Sequence, residues 1–429
     1  MKRCLLMSIV ATLILASGAW AAAPVVKDAF HMEKGVLYRG DNEFTVQGFY
    51  VPDAGKQDTD LSKMVATMAR IAEPGGNGLA FNLPGLSADG KSIAPEAVKT
   101  IHDYAVRAKE QRMALVIRVL GNSTDPKVRK ATISTVAKQV ADQLALYWID
   151  GPNAAALAKR FKKLAPKLVV IAQENGDIQL TSSAPAKTPA SALLVQTLPA
   201  SFEVKNLHFI LDNKAENYAA LDAALMRPEE KKTWTLDPAV VSKEEQAEGF
   251  LPLFDGKSLD GWWVKGDVKD SFHVSEDGFI EWRKTGGDAL MSAKRYDNFI
   301  FRCEWKLLPG GNSGVWFRAP RGARQSYVGF ELQMMGDNDV KEFNNSNTGS
   351  LYMVLSPLAR PARAEGLWNT LEVICQGSHI KATMNGTLIQ DVNMDDNEDL
   401  KCRLRKGFIC LTNHNTYVGF RNIRIKELK

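Results

Sequence analysis

The hydrophobic pattern of the sequence changes at about residue 250, and this change constrains the fold more than any other feature. Before it, short apolar runs alternate with stretches of helical periodicity. After it, aromatic and β-branched residues alternate with polar ones and are interrupted by Asp-Gly, Gly-Gly and Asn-Gly pairs. Strands separated by helices are typical of a parallel sheet, whereas many short strands with tight turns are typical of a β-sandwich. Because 429 residues exceed what one core usually supports, we expect two domains.

Residues 30–237 are predicted to form a (β/α) barrel-like α/β domain. Helices are expected at 60–72, 95–111, 128–144 and 154–164, with short apolar strands between them. Seven or so such units suit a barrel, complete or incomplete, and a doubly wound sheet is the alternative. No glycine-rich phosphate fingerprint follows the first strand, which argues against a nucleotide-binding version.

The barrel-like domain could also carry chemistry of its own. A barrel glycosidase needs two carboxylates near the carboxyl ends of its strands. Glu174 with Asp150 or Asp212 could form such a pair. Asp is, however, common at helix caps and in loops for purely structural reasons. We therefore interpret this domain as a degenerate barrel that serves as a scaffold or sugar-binding partner.

Residues 1–21 are predicted to be a secretory signal peptide. Lys2 and Arg3 precede an apolar stretch at 5–15, and Ala19-Trp20-Ala21 matches a cleavage site. The apolar stretch is short for a membrane span of about 20 residues, and no second one follows. The expected location is therefore periplasmic or secreted, with no membrane span after signal removal.

Net charge and cysteine usage further limit the partners and the disulfides that this chain is expected to have. The net charge of +5 is mild, and basic residues are interleaved with acidic ones, which argues against a nucleic-acid partner. Four cysteines remain after signal removal, and most lie in apolar strand-like runs where buried thiols are common. They are interpreted as core residues, with a Cys402–Cys410 disulfide as the alternative.

The C-terminal part begins after a predicted linker at 238–249, which is charged and contains Pro238. Residues 250–429 are predicted to form an all-β sandwich. Segments 300–305, 315–318 and 370–374 alternate with a period of two. Asp277-Gly278 and Asn385-Gly386 are hairpin signals.

Eight short motifs in this part occur in a characteristic order. They are LFDGKSLDGW at 253–262, GNSGVWFR at 311–318, GFELQ at 329–333, TGSLY at 348–352, GLWN at 366–369, MNG at 384–386, GFI at 407–409 and FRNI at 420–423. In this order they resemble the 3-keto-disaccharide hydrolase family, also described as 3-keto-glucoside 1,2-lyases and 3-keto-2-hydroxy-glucal hydratases. The resemblance covers the C-terminal domain and implies a concanavalin-like jelly-roll sandwich.

The resemblance also implies a reaction. A ketone at C3 of a sugar makes the C2 hydrogen acidic, so a base can remove it and the C1 substituent then leaves. Water adds back, and the net result is hydrolysis of a 3-keto-glycoside. This favours an exported lyase or hydrolase with a carbohydrate or glycoside substrate. The alternative is a non-catalytic carbohydrate-binding sandwich attached to a degenerate barrel, since fold does not fix function. The sugar and the linkage stay open.

Period-two geometry selects candidate residues for this chemistry. Glu331 and Gln333 point to one face of their strand, and Trp316 and Arg318 are expected to share a face of theirs. His414, in an Asn-His-Asn turn, could donate a proton or bind a metal, and a divalent metal could take part. The predicted catalytic residues are Glu331, His414 and Arg318, and the predicted substrate-binding residues are Trp316, Gln333 and Asn312.

Each of these residues also has a structural interpretation. Glu331 and Arg318 could form only a cross-strand ion pair. Trp316 could be a half-buried packing residue. His414 could be an ordinary turn residue, since histidine alone is a weak signal of function.

Overall fold

The computed structural model describes residue 26 and residues 28–55, 61–172, 175–181, 191–195, 208–265, 271–282 and 289–429. The predicted signal peptide at 1–21 and the candidate carboxylate Glu174 lie outside the described residues. In the described ranges, none of the helices has the length and apolar character needed to cross a membrane.

The N-terminal half contains a small antiparallel sheet and a ring of parallel strands. The small sheet consists of β1 (Phe30–Glu33), β2 (Val36–Arg39) and β3 (Asn42–Glu43). The ring comprises β4 (Gln47–Tyr50), β5 (Gly78–Asn82), β6 (Ala114–Arg118), β7 (Ala145–Ile149), β8 (Val170–Ala172), β9 (Ile178–Thr181), β10 (Ser191–Val195) and β11 (His208–Asp212). Within the described residues, these eight strands pair in sequence order, and β11 pairs with β4 to close a barrel.

Helices connect the first five barrel strands and follow the last one. They are α1 (Leu61–Ala72), α2 (Pro95–Glu110), α3 (Pro126–Gln139), α4 (Ala154–Leu164) and α5 (Ala215–Leu225). Pro95 and Pro126 occupy the first helical position, where their missing N–H costs nothing. The Asp125 side chain caps α3 by accepting from the backbone of Lys127 and Val128. Strands β5, β6 and β7 are buried at nearly every position, as expected for strands covered on both faces.

The outcome for the N-terminal predictions is mixed. The structure shows a parallel barrel sheet, and the doubly wound alternative is wrong because the sheet closes on itself. The predicted bounds of α4 are confirmed. Helix α3 was expected to extend to residue 144 but ends at Gln139, because Ala141 adopts a positive φ of 37° that a helix cannot continue through. Degeneracy of the barrel stays a prediction.

A short segment joins the two halves. It contains one-turn 3-10 helices at Glu229–Lys231 and Pro238–Val240, followed by α6 (Lys243–Glu248). Ser242 caps α6. Within α6, Glu245 accepts hydrogen bonds from Arg302 and Arg424 of the C-terminal half. The predicted linker therefore lies against the sandwich.

The C-terminal half consists of two antiparallel sheets. Its strands are β12 (Leu251–Pro252), β13 (Trp262–Lys265), β14 (Phe272–Val274), β15 (Ile280–Trp282), β16 (Ala289–Tyr296), β17 (Phe299–Leu307), β18 (Asn312–Ala319), β19 (Phe330–Met335), β20 (Asn369–Gln376), β21 (His379–Met384), β22 (Thr387–Asn393), β23 (Gly407–Thr412) and β24 (Val418–Glu427). A four-residue helix, α7 (Gln325–Val328), precedes β19, and a 3-10 turn, Met394–Asp396, follows β22. One sheet has the order β14-β15-β24-β17-β20-β21-β22, with β12 beside β24, and the other has the order β13-β16-β23-β18-β19.

Alternation of side chains builds the core between the two sheets. In β17, residues are buried and half-buried in strict alternation from Phe299 to Leu307. The buried set packs against inward residues of the opposite sheet, including Val315, Phe317 and Leu332. This is the arrangement expected of a jelly-roll sandwich, so the predicted sandwich is confirmed.

The loop between β18 and α7 attaches the sandwich to the barrel. Arg321 forms ion pairs with Glu230 and Asp222, and the backbone N–H of Gly322 donates to Ala72 O at 3.2 Å. A Cβ on Gly322 would lie 2.8 Å from the backbone of Gly75, so only glycine permits this approach. The two halves therefore meet through backbone contacts as well as charges.

The described cysteines are not joined by a disulfide. None of Cys303, Cys375, Cys402 and Cys410 is disulfide-bonded, and Cys410 is buried in an apolar cluster with Met291 and Phe408. The Cys402 thiol instead donates to Ser62 O, across the junction with the barrel, at 3.1 Å. The alternative of a Cys402–Cys410 bridge is wrong.

Candidate functional site

A cavity of about 320 Å³ opens on the face of the five-stranded sheet that points away from the sandwich core. It is lined by Arg112, Asn312, Trp316, Arg324, Gln325, Ser326, Glu331, Gln333, Met335, Ser346, Tyr352, Asn413 and His414. Strands β18 and β19 form its floor. Residues 344–353 run along the edge of β19, where the N–H of Tyr352 donates to Glu331 O and the N–H of Gln333 donates to Ser350 O.

The register of β18 and β19 brings the polar floor together. Trp316 pairs with Glu331, Gly314 with Gln333, and Asn312 with Met335. All six positions therefore share one face, because side chains alternate along a strand. The Gln333 amide Nε2 donates to Asn312 Oδ1 at 3.1 Å.

Gly314 makes room for the carboxyl group of Glu331. A Cβ at this position would lie 2.5 Å from Glu331 Oε1 and 3.0 Å from the backbone oxygen of Leu332. Any side chain here would displace the carboxyl group from its place beside Trp316. Gly314, the second glycine of the GNSGVWFR motif, therefore has a steric role in the site.

Arg318 does not line this cavity. The prediction that it shares a strand face with Trp316 is wrong. Arg318 has a φ of 49°, and the pairing of β18 with β23 shifts register between Trp316 and Ala319. This bulge moves Ala319, rather than Arg318, onto the face of Trp316. The guanidinium of Arg318 is fully buried and donates to Asp297 O and Met394 Sδ. The cross-strand ion pair with Glu331 is not formed, and Arg318 is a structural residue.

Burial strongly shifts the pKa of Glu331, whose carboxyl group lies in the cavity. It is only 4% exposed, and burial raises the pKa of its carboxyl group to about 7, while Trp316 and the positive charge of Arg324 oppose the rise. The Trp316 indole lies close enough to affect the carboxyl group, but neither Trp316 Nε1 nor Glu331 Oε1 completes a hydrogen bond among the described residues. A buried carboxyl group whose pKa lies near neutrality, and one of whose oxygens has no hydrogen-bond partner among the described residues, is a candidate acid–base residue.

The remaining predicted residues also line the cavity. His414 lies on the turn after β23, exposed to solvent, and Asn312 and Gln333 lie on the floor. Five of the six predicted site residues therefore lie together, while their individual roles stay predictions. Sequence reasoning missed Arg112, Arg324, Gln325 and Tyr352. The TGSLY motif contained a signal for Tyr352, but nothing in the sequence pointed to the other three.

The sequence also suggested a metal site and a carboxylate pair in the barrel. In the described part of the chain, no group of three or more His, Cys, Asp or Glu side chains is arranged to hold a metal ion. In the barrel, Asp150 forms an ion pair with Arg118 at 2.8 Å, and Asp212 lies 3.7 Å from the Lys214 ammonium group. Both carboxylates thus have cationic partners, which fits a structural role.

The raised pKa of Glu331 predicts a pH-dependent cost to stability. The folded chain disfavours the ionised form, so the cost is absent below the ordinary glutamate pKa of 4.5 and grows as the pH rises toward about 7. Above pH 7 it should reach about 3 kcal/mol. The free energy of unfolding of Glu331→Gln, relative to the unmodified protein, should therefore rise between pH 4.5 and pH 8 in urea titrations.

Glu276→Gln is a matched control, because it removes the same charge from an exposed turn. Its difference from the unmodified protein should stay nearly constant over this range. A pH-independent difference for Glu331→Gln would contradict the raised pKa.

Comparisons with known proteins find similarity in the C-terminal domain, which contains the cavity. Residues 249–426 match the family model of the 3-keto-alpha-glucoside-1,2-lyase-like domain, which confirms the resemblance of the C-terminal domain. A 3-keto-disaccharide hydrolase of Bacteroides thetaiotaomicron is 26% identical over 230 residues, which is 42% of this chain and 79% of that protein. The C-terminal domain therefore resembles a carbohydrate-active, glycosyl hydrolase-like family.

Two solved structures are similar to part of this chain. A candidate glycosyl hydrolase of Parabacteroides distasonis aligns with a TM-score of 0.39 and 28% identity, over 44% of this chain and 98% of its own. A carbohydrate-binding module of Bacillus subtilis aligns with a TM-score of 0.30 and 14% identity, over 39% of this chain and 96% of its own.

Proposed function

With a C-terminal domain that matches the 3-keto-alpha-glucoside-1,2-lyase-like family model, we propose that the protein cleaves 3-keto-glycosides in the sandwich cavity. The observation that carries this proposal is Glu331. Its carboxyl group is buried at the cavity floor beside Trp316, and its pKa of about 7 suits a base that must be unprotonated near neutral pH and still bind a proton well.

The proposed reaction begins at C2 of the sugar. Glu331 takes the C2 proton, and the electrons of that bond form an enolate with the C3 carbonyl. The enolate then expels the C1 substituent, which leaves as an alcohol after receiving a proton, and C1 and C2 become doubly bonded. Water adds to C1 while a proton returns to C2. The net change is hydrolysis, with no oxidant or reductant consumed.

Other cavity residues support these steps by their position. Trp316 offers a ring face to the apolar side of a sugar, and Asn312 and Gln333 offer amide groups to its hydroxyls. The positive charge of Arg324, which already lowers the pKa of Glu331, would favour the developing enolate. His414 lies on the exposed rim, where it could protonate the leaving oxygen.

The proposal can be tested with a pair of nitrophenyl glucosides, one oxidised to the ketone at C3 and one not oxidised. The purified protein should release nitrophenol from the 3-keto compound and not from the ordinary glucoside. In deuterated water, the released keto sugar should carry deuterium at C2 beyond the exchange seen without protein, because the proton there is removed and replaced.

Release from the ordinary glucoside, or release without deuterium at C2, would indicate direct glycosidic hydrolysis and contradict the proposal. Binding of both compounds without any turnover would favour the non-catalytic alternative.

A further inference from the structure

One of the residues that line the cavity, Arg112, belongs to the barrel rather than the sandwich. Arg112 lies in the turn between α2 and β6, held at a positive φ of 56°, and its exposed side chain lines the cavity. The neighbouring Gln111 O accepts a hydrogen bond of 2.9 Å from the backbone N–H of Arg324. The barrel turn is therefore fixed against the sandwich at the residue that supplies the second arginine of the cavity.

Neither arginine has an acidic partner in the part of the chain that the structure describes. Among the residues that the structure describes, no carboxylate forms an ion pair with Arg112 or Arg324. Arg324 stacks instead on the ring of Tyr327, with 3.8 Å from its guanidinium carbon to the ring centre. The carboxyl group in the cavity lining is that of Glu331, and its raised pKa leaves it largely uncharged below pH 7. The cavity is therefore positively charged.

A buried amide adds an unmatched donor. Gln325, at the start of α7, lines the same cavity and is 2% exposed. Lys265 Nζ donates to its Oε1 at 2.9 Å, which fixes the amide orientation. Its Nε2 group is buried and has no partner among the described residues. A buried donor without an acceptor is costly, and a ligand oxygen would satisfy it.

We propose that the cavity binds glycosides that carry a negatively charged substituent, and that Arg112 of the barrel holds this charge beside Arg324. A planar guanidinium matches the oxygens of a carboxylate or a sulfate ester in a bidentate way. The barrel thereby sets substrate specificity for the sandwich. The inference rests on the proposed function, because that function makes the ligand a glycoside. It concerns the charge on the glycoside rather than its keto group.

The test uses unoxidised sugars, so that it does not depend on turnover. Methyl glucuronide, methyl glucoside 6-sulfate and neutral methyl glucoside are titrated into the full-length protein by calorimetry. At least one acidic sugar should bind about 10- to 100-fold more tightly than the neutral one, and added salt should reduce this preference. The carboxylate and sulfate arms identify which oxyanion fits.

Variants assign the preference to the barrel residue. Arg112→Ala should remove most of the preference for the acidic sugar, whereas Arg112→Lys should restore part of it. Arg160→Ala is the matched control, because it removes the same charge from an exposed position on α4 and should keep the preference. Circular dichroism checks that each variant is folded.

The inference fails if the unmodified protein binds acidic and neutral sugars equally or binds none of them. It also fails if Arg112→Ala keeps the preference. These failures differ from failure of the proposed function. Neutral 3-keto-glucosides could be cleaved while charge has no effect, and an acidic sugar could be preferred while no 3-keto-glycoside is cleaved.

Discussion

Glu331→Gln should lower kcat for a 3-keto-glycoside by about 10²- to 10⁴-fold, the usual contribution of a positioned general base, while KM changes little. The amide keeps the shape of the side chain beside Trp316 but cannot accept the C2 proton. In the unmodified protein, activity should rise with pH through about 7, because the base acts only after losing its proton and its pKa lies there. Steady-state rates across pH 5.5–8.5 check both statements.

Glu372→Gln is the matched control. Glu372 lies on β20, in the sheet opposite the cavity, and accepts from Arg302 at 2.7 Å, so its loss should change kcat less than twofold, as expected for a residue outside the site. If a folded Glu331→Gln protein keeps full activity, the proposed base role is wrong. If it loses activity but still binds the glycoside, the loss lies in chemistry rather than in folding.

Arg321→Ala should lower the free energy of unfolding by about 3–5 kcal/mol, because it leaves the buried carboxylate of Glu230 without a cation. Arg321 and Glu230 are each only 6% exposed in their side chains, and Arg321 Nη2 lies 2.6 Å from Glu230 Oε2. Asp222, from the barrel helix α5, shares the same guanidinium. The change should therefore weaken the junction between barrel and sandwich, as measured by urea unfolding.

Lys294→Ala removes an ion pair of a different kind. Its partner is Glu427, and both side chains are about half exposed, so the cost should be below about 1 kcal/mol. The double variant Arg321→Ala/Glu230→Ala should recover part of the loss, since fewer buried charges then lack a partner. If Arg321→Ala and Lys294→Ala lower the free energy of unfolding equally, the junction does not depend on the ion pairs of Arg321 with Glu230 and Asp222.

The polar floor of the cavity was predictable because it depends on local alternation. Trp316 lies on β18, and Glu331 and Gln333 lie on β19. A period of two correctly predicted the face of the strand that each of them occupies. Arg318 departed from that rule, two residues after Trp316. Its bulge arises where β18 pairs with β23, a strand about 90 residues later in the sequence, so a local pattern could not reveal it.

The sequence by itself predicted a boundary at about residue 250 between a parallel α/β part and a β-sandwich, together with the motif order that resembles the 3-keto-disaccharide hydrolase family. The choice between a barrel and a doubly wound sheet was decided by the structure. Export of the chain stays a prediction. Only the tertiary structure decided that a barrel turn completes the sandwich cavity. Arg112 and Arg324 are 212 residues apart, and they meet because the two halves dock through Gln111 and the loop around Arg321. Hydrophobic periodicity records which face of an element is buried, but it carries no information about which distant surface covers it.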